Sequence, residues 1–169
     1  MSSPPIRSGA DAAQTASTCA SLNITTAEFA ELQRRATAAK ATAYCRYSRF
    51  RVGATLLCAD AAGETVYVPG ANVENASYPV GTCAERVAFG TAVTSGITAF
   101  RAIAVATDIS PPASPCGMCR QFIREFCSLQ TPVIMFDKNS DYVVMTLEQL
   151  QGMPGKGGWN DRVAAVSQV

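Results

Sequence analysis

The sequence predicts a three-layer α/β/α sandwich with one mixed five-stranded sheet. Segments whose apolar residues recur at helical spacing alternate with short apolar runs, in the order helix, two strands, helix, strand, helix, two strands, helix. Chains in which helices and strands alternate in this way bury a sheet between helical layers. A length of 169 residues, of which 48% are hydrophobic, suffices for one domain with a substantial core.

The first helix is predicted to begin at Thr25, because Thr25 and Glu28 have the spacing of a capping box. Residues 1–24 are rich in Ser, Ala, Thr and Pro and offer little to bury, which predicts a flexible leader. Two strands are predicted at residues 52–58 and 65–68, because both runs are apolar and a short polar turn joins them.

The middle of the chain predicts a second helix over residues 83–94, which Gly96 ends. The apolar run at 102–107 suits a central strand, and a third helix is predicted over 117–127, after a proline-rich loop. The residues of this third helix that are expected to face inward are Met118, Phe122 and Phe126.

The last predicted elements are strands at 133–136 and 142–145, followed by a short helix that begins at Thr146. Residues 25–151 are therefore expected to form a single domain. The glycines that follow end regular structure, so residues 152–169 are predicted to be an irregular C-terminal tail.

Charge and composition exclude several classes of protein. The 14 Lys and Arg residues nearly balance the 13 Asp and Glu residues, whereas a protein that neutralises polynucleotide phosphates needs a basic surface. The chain contains no histidine, which excludes Ser/His/Asp catalysis and histidine-ligated metal sites. No run of about 18 apolar residues is present, so no membrane span is predicted. Seven scattered cysteines are a poor disulfide framework and predict a reducing, cytoplasmic location.

Three cysteines are spaced for a shared metal ion: Cys83 and, 33 positions later, Cys116 followed by Cys119. Because residues three apart lie on one helix face, the last two sulfurs can reach the same ion, and thiolate-rich sites favour zinc. Structural zinc sites use four protein ligands, whereas catalytic sites use three and leave a position for water. The C-x-x-C pair by itself would fit a redox pair equally well, but the third cysteine favours zinc.

Glu85 and Arg86 follow the first of these cysteines closely. A carboxylate two residues from a metal ligand can carry a proton between an activated water and a leaving group. The guanidinium of Arg86 can donate to a thiolate sulfur and offset the net negative charge of three thiolates on Zn²⁺. The alternative interpretations are a solvated carboxylate in a first helical turn and a surface cation.

Asn72 and Glu74 alternate along a polar loop, so both side chains can face the same side. A glutamate that accepts hydrogen bonds from a diol would recognise a sugar. Phe50 and Tyr78, considered singly, are more often core or interface aromatics than ligand contacts. Together with the balanced charge, these residues favour a small substrate with little charge.

Four blocks of sequence resemble the small homotetrameric cytidine deaminases, in the same order, over residues 25–150. The blocks are SRFRVGA at 48–54, GANVENASY at 70–78, CAER at 83–86 and SPCGMCRQ at 114–121. Cys-x-Glu followed by Pro-Cys-x-x-Cys is the signature of zinc deaminases. The resemblance implies hydrolysis of cytidine and deoxycytidine to uridine and deoxyuridine, with release of ammonia, in pyrimidine salvage.

The resemblance also implies roles for individual residues. Cys83, Cys116 and Cys119 would hold one Zn²⁺ per subunit, which activates the water that attacks C4 of the base. Glu85 would protonate N3 and then the departing ammonia.

The resemblance further implies the substrate contacts. Phe50 would pack against the base, the backbone N–H of Ala84 would donate to the pyrimidine O2, and the backbone carbonyl of Ser114 would accept from the leaving amino group. Asn72 and Glu74 would hold the ribose hydroxyls.

Tyr78 would reach the ribose in a neighbouring subunit, which implies a homotetramer whose active sites are shared between subunits. Family members commonly supply a late phenylalanine to another subunit's site. Residues 150–154 depart from the pattern that precedes it, and Trp159 is not assigned that role.

Two other functions remain open. A zinc deaminase of another aminopyrimidine nucleoside, such as the blasticidin-type enzymes, would share the metal signature, but the loop at 72–75 favours cytidine. A non-catalytic structural zinc module would need a fourth ligand, for which Cys58 and Cys127 are the candidates.

Overall fold

One five-stranded sheet lies in the middle of the structure, a computed structural model that describes residues 4–152. The helices are α1 (Ala12–Leu22), α2 (Thr26–Ala39), α3 (Ala84–Thr94), α4 (Gly117–Phe126) and α5 (Leu147–Gly152). The strands are β1 (Val52–Ala59), β2 (Thr65–Ala71), β3 (Ala99–Thr107), β4 (Pro132–Phe136) and β5 (Tyr142–Thr146). Every predicted helix and strand is present, and α1 is an additional helix.

The sheet is mixed, as predicted, with the strand order β2–β1–β3–β4–β5. Strand β3 pairs with β4 in parallel, and the other neighbouring strands pair antiparallel. Successive strand residues point to opposite faces, so Leu56 packs in a core with α3 and α4, whereas Leu57 packs in a second core with α1 and α2. Helices therefore cover both faces, which confirms the three-layer sandwich.

The N-terminal segment differs from its prediction. Residues 1–24 were expected to be flexible, but residues 12–22 form α1, which Asp11 caps by accepting from the Gln14 N–H at 3.0 Å. Arg7 exchanges two backbone hydrogen bonds with Tyr142 at the outer edge of β5. The prediction was wrong because α1 buries only a narrow face, including Thr18 and Cys19, and narrow apolar faces leave little periodic signal.

A buried hydroxyl pair attaches α1 to the sheet, and we expect Thr18→Val to lower stability. The Thr18 hydroxyl lies 2.9 Å from the Tyr142 hydroxyl and accepts from Arg7 Nη1 at 2.8 Å. Valine would leave both partners unsatisfied, which costs about 1–3 kcal/mol of unfolding free energy in urea titrations. Thr91→Val is the matched control. The hydroxyls of Thr18 and Thr91 both donate to the carbonyl four residues earlier, but Thr91 is exposed. Equal losses in both variants would contradict the assignment.

Helix α4 is rotated relative to its prediction. Met118, Phe122 and Phe126 were expected to face inward, but Met118 is 61% exposed and Phe122 37% exposed, while Cys119 and Ile123 are fully buried. Phe126 is partly buried against the core. The expectation for Met118 and Phe122 was wrong because turning the Cys119 sulfur toward the other two cysteines rotates the apolar i, i+4 stripe toward solvent.

The close approach of α3 to β2 depends on Gly70. A Cβ atom at this position would lie 2.6 Å from the backbone oxygen of Ala84 and 2.5 Å from the backbone nitrogen of Ala88. Because both are backbone atoms, they could yield only if the helix moved. Glycine therefore allows the first turn of α3, which carries Glu85, to lie against the sheet.

None of the helices described between residues 4 and 152 combines the length and the apolar character that a membrane crossing requires.

Candidate active site

The starts of two helices bring three cysteine sulfurs together. Cys83 is the residue before α3, Cys116 is the residue before α4, and Cys119 lies in the first turn of α4. The sulfur of Cys116 lies 3.8 Å from that of Cys83 and 3.5 Å from that of Cys119, and all three lie within 4.8 Å of one another. Sulfurs on a tetrahedral zinc ion with Zn–S bonds of about 2.3 Å are roughly 3.8 Å apart, so the cluster fits one zinc ion.

The cluster has three members among the residues that the structure describes. Cys58 and Cys127, the candidates for a fourth ligand, do not belong to it. Burial raises the pKa of the Cys58 thiol to about 11 and that of the Cys127 thiol to about 12, so both stay protonated near neutral pH. A closed structural zinc site therefore lacks a fourth cysteine.

The start of α4 favours a thiolate at Cys116. Hydrogen bonding with the Cys119 and Cys83 thiols lowers the pKa of Cys116, and the backbone N–H groups of Cys119 and Met118 lower it further. These N–H groups belong to the first helical turn, where they have no intrahelical partner. The same position helps to form the deprotonated sulfur that a metal ion binds.

Glu85 lies in the first turn of α3, and only 4% of it is exposed. Burial raises the pKa of its carboxyl group above the ordinary value. The side chain is therefore not the solvated carboxylate of the alternative interpretation. It lines the same cavity as Cys83 and Cys116, so a reactant at the sulfur cluster would also contact an acid or base of raised pKa.

Arg86 points toward the sulfur cluster. Its Nη2 atom lies 3.8 Å from the Cys83 sulfur and donates to the Gly81 carbonyl at 3.2 Å. Its Nε atom is buried and has no hydrogen-bond partner within residues 4–152. The guanidinium thus places positive charge beside a thiolate position.

A cavity of about 380 Å³ opens beside the cluster. This volume is within the usual range for small-molecule sites. The predicted site residues that line it are Phe50, Asn72, Glu74, Tyr78, Cys83, Glu85, Arg86, Ser114 and Cys116. Ala84 and Cys119 are fully buried and are not part of the lining. The structure therefore gathers residues from four separate sequence blocks around one space.

In this structure the Asn72 side chain binds the protein backbone. Its Oδ1 atom accepts from the Val52 N–H at 2.8 Å, and its Nδ2 atom donates to the Phe50 carbonyl at 2.9 Å. These bonds hold the segment that carries Phe50 at the cavity wall. One Nδ2 hydrogen is left for a further acceptor.

The Glu74 carboxylate binds a neighbouring loop. It accepts from the backbone N–H of Tyr47 at 2.8 Å and from the N–H and hydroxyl of Ser48. The Ser48 hydroxyl and these N–H groups hold the pKa of Glu74 below its ordinary value, so the group is a carboxylate at neutral pH. Tyr47 and Ser48 also line the cavity. Ser48 begins the first of the four sequence blocks, whereas no local pattern indicates Tyr47, which is found only through its backbone bond to Glu74.

A family model described as the cytidine and deoxycytidylate deaminase zinc-binding region matches residues 27–135, which include the three clustered cysteines and Glu85. The chain belongs to this deaminase family. The three-sulfur cluster is the kind of site that a zinc-binding region requires. Helix α1 lies before the matched residues.

Individual deaminases match most of their own length. A cytidine deaminase of Sporosarcina psychrophila is 42% identical over 130 residues, which are 77% of this chain and 91% of the relative. One from Halalkalibacterium halodurans is 41% identical over 124 residues, 73% of this chain and 89% of the relative. The crystal structure of a cytidine deaminase from Burkholderia pseudomallei superimposes with a TM-score of 0.67 at 36% identity and covers 75% of this chain and 98% of that one.

Proposed function

We propose that this protein hydrolyses cytidine and deoxycytidine to uridine and deoxyuridine and releases ammonia. The observation that carries the proposal is a buried carboxyl group beside three clustered sulfurs that fit one zinc ion, at a cavity with room for a small molecule. The relatives named above are cytidine deaminases. Assays of ammonia release from free bases, nucleosides, nucleotides and single-stranded nucleic acid test it, and release confined to another class than nucleosides would contradict it.

Glu85 would transfer the protons during this hydrolysis. A zinc ion on three protein ligands supplies an acidic, nucleophilic water when it is bound. Water adds at C4 of the base, the bond from C4 to the amino nitrogen breaks, and ammonia leaves. The two protons of the water end on N3 and on ammonia, and Glu85, the buried carboxyl group of the cavity, can accept and return them. Its raised pKa suits both directions of transfer.

The base would lie between Phe50 and the start of α3. Phe50 lines the cavity, and the first backbone N–H groups of α3, including that of Ala84, have no carbonyl partner within the helix. The Ala84 N–H would donate to the pyrimidine O2, and the carbonyl of Ser114 would accept from the leaving amino group.

Asn72 and Glu74 would bind the ribose hydroxyls, and we expect Glu74→Ala to weaken substrate binding. A lost hydrogen bond to a charged group costs about 1.5–3 kcal/mol, which is a rise of roughly 10- to 100-fold in KM for cytidine. Zinc content should not change. Glu125→Ala, which removes an exposed carboxylate of α4, is the control. An unchanged KM in the Glu74 variant would remove this residue from the sugar site.

The quaternary structure and the setting are further parts of the proposal. Tyr78 and Met118 both line the cavity, and they are 82% and 61% exposed. A homotetramer in which Tyr78 reaches a neighbour's ribose would cover these side chains. We also propose a cytoplasmic role in pyrimidine salvage, supported by the seven free cysteines.

The rival functions have less support. A structural zinc module lacks a fourth cysteine at the cluster within residues 4–152. A deaminase of the blasticidin type would share the cluster, but the named relatives are cytidine deaminases. Ammonia release from cytidine, compared with release from other aminopyrimidine nucleosides in the same assay, separates the two deaminase functions.

A further inference from the structure

Arg120 joins three separate parts of the structure through one guanidinium group. From the first half of α4, its Nε atom donates to the Pro115 carbonyl at 2.8 Å and its Nη2 atom donates to the Ser114 hydroxyl at 3.2 Å. Its Nη1 atom donates to the Leu150 carbonyl in α5 at 2.7 Å. The three acceptors lie in a loop that lines the cavity and in the last helix that the structure describes.

We propose that Arg120 is a positioning residue that holds the Ser114 carbonyl in place for the departing amino group. The inference rests on the proposed function. The two loop atoms that Arg120 binds, the Ser114 hydroxyl and the Pro115 carbonyl oxygen, are covalently on either side of the Ser114 carbonyl. Fixing both restricts the rotation of the peptide unit between them, and Cys116, a member of the sulfur cluster, follows directly.

The last helix provides a fixed support for this bond network. Leu150 is fully buried, so the carbonyl that receives Nη1 belongs to a residue packed in the core. Gln151 Nε2 donates to the Arg120 carbonyl at 3.0 Å, so α5 binds both the side chain and the backbone of this arginine. The loop is thus connected through Arg120 to the core rather than to solvent.

Three different nitrogens of the Arg120 guanidinium donate to the three acceptors. Arginine presents five N–H donors in a planar fork, whereas lysine presents one ammonium nitrogen on a flexible stem. The Arg120→Lys variant keeps the charge and most of the aliphatic stem but cannot bridge the loop and α5. Since misplacement of a reacting group by about 1 Å can cost on the order of 100-fold in rate, we expect kcat for cytidine to fall by roughly 10- to 100-fold.

The experiment compares Arg120→Lys, Arg120→Ala and the control Gln121→Ala for kcat, KM, zinc per chain and melting temperature. Gln121 Nε2 donates to Gln151 Oε1 at 2.9 Å, so the control removes a contact between α4 and α5 without touching the loop. The expected result is a lower kcat in both Arg120 variants, with KM and zinc content near those of the parent and kcat of the control within about twofold.

Three results would overturn the inference. They are a kcat of Arg120→Lys within about twofold of the parent, a loss of zinc in parallel with activity, and a failure of both Arg120 variants to fold, which would leave a structural role only. If Arg120→Ala alone fails to fold, Arg120→Lys decides. A parent protein that releases no ammonia from cytidine would instead overturn the proposed function, and this inference with it.

Discussion

Glu85→Gln is expected to lose turnover of cytidine by about 100- to 10,000-fold, the usual contribution of a positioned acid or base. Glutamine has nearly the same shape but can neither accept nor return a proton at this site. Because Glu85 is buried and its pKa is already raised, replacing a buried ionisable group with a neutral amide should leave the melting temperature equal or higher. The measurements are kcat, zinc per chain and the thermal unfolding transition.

Glu64→Gln is the matched control for this substitution. Glu64 is an exposed carboxylate in the turn between β1 and β2, outside the four sequence blocks, and it does not line the cavity. The control should keep the parent kcat. If Glu85→Gln also turned over cytidine at the parent rate with full zinc, Glu85 would have no part in proton transfer.

Cys119→Ser is expected to abolish zinc binding and to lower kcat by roughly 1000-fold or more, because the metal supplies the acidic water. A serine hydroxyl is far less acidic than a thiol and is a poor ligand for zinc beside two sulfurs. Chelation of zinc from the parent should produce the same loss. Added zinc should restore the parent but not the variant, as measured by metal analysis and ammonia release.

Cys127→Ser is the control for the second prediction. Cys127 is also a buried cysteine, directly after α4, but it lies outside the sulfur cluster. Its replacement should retain zinc and activity, with a stability cost of about 1 kcal/mol, since burial of a hydroxyl is offset by the nearby Thr131 side chain. Equal zinc loss in the two variants would mean that the cluster is not the metal site.

Local signals in the sequence predicted the sheet and most helices correctly. The capping box at Thr25 and Glu28 is present, with hydrogen bonds of 3.0 and 2.7 Å in its two directions. Gly96 has φ of +80°, as expected of a glycine that ends α3. Such features depend on residues within a few positions of one another, so they can be predicted from the sequence alone.

Local sequence patterns did not predict the structural features that depend on packing between distant residues. The N-terminal helix α1 has few large apolar residues, and its attachment depends on Tyr142, which lies 124 positions from Thr18 in the sequence. The rotation of α4 depends on where the Cys83 sulfur lies. The local apolar stripe therefore predicted burial of Met118 and Phe122, which are in fact exposed. The prediction for Trp159 and most of the tail predicted at 152–169 lie outside the described residues.

The sequence by itself determined the order of helices and strands and the supply of three sulfur donors with a glutamate beside the first, because these follow from residue type and short spacing. The tertiary structure decided that the sulfurs of Cys83 and Cys116 lie close enough to bind one metal ion and that Glu85 is buried. It also decided that Arg120 connects the loop at residues 114–115 to α5. The physical reason is that burial and distance between remote residues depend on how the helices pack across the sheet, and no short stretch of sequence contains that information.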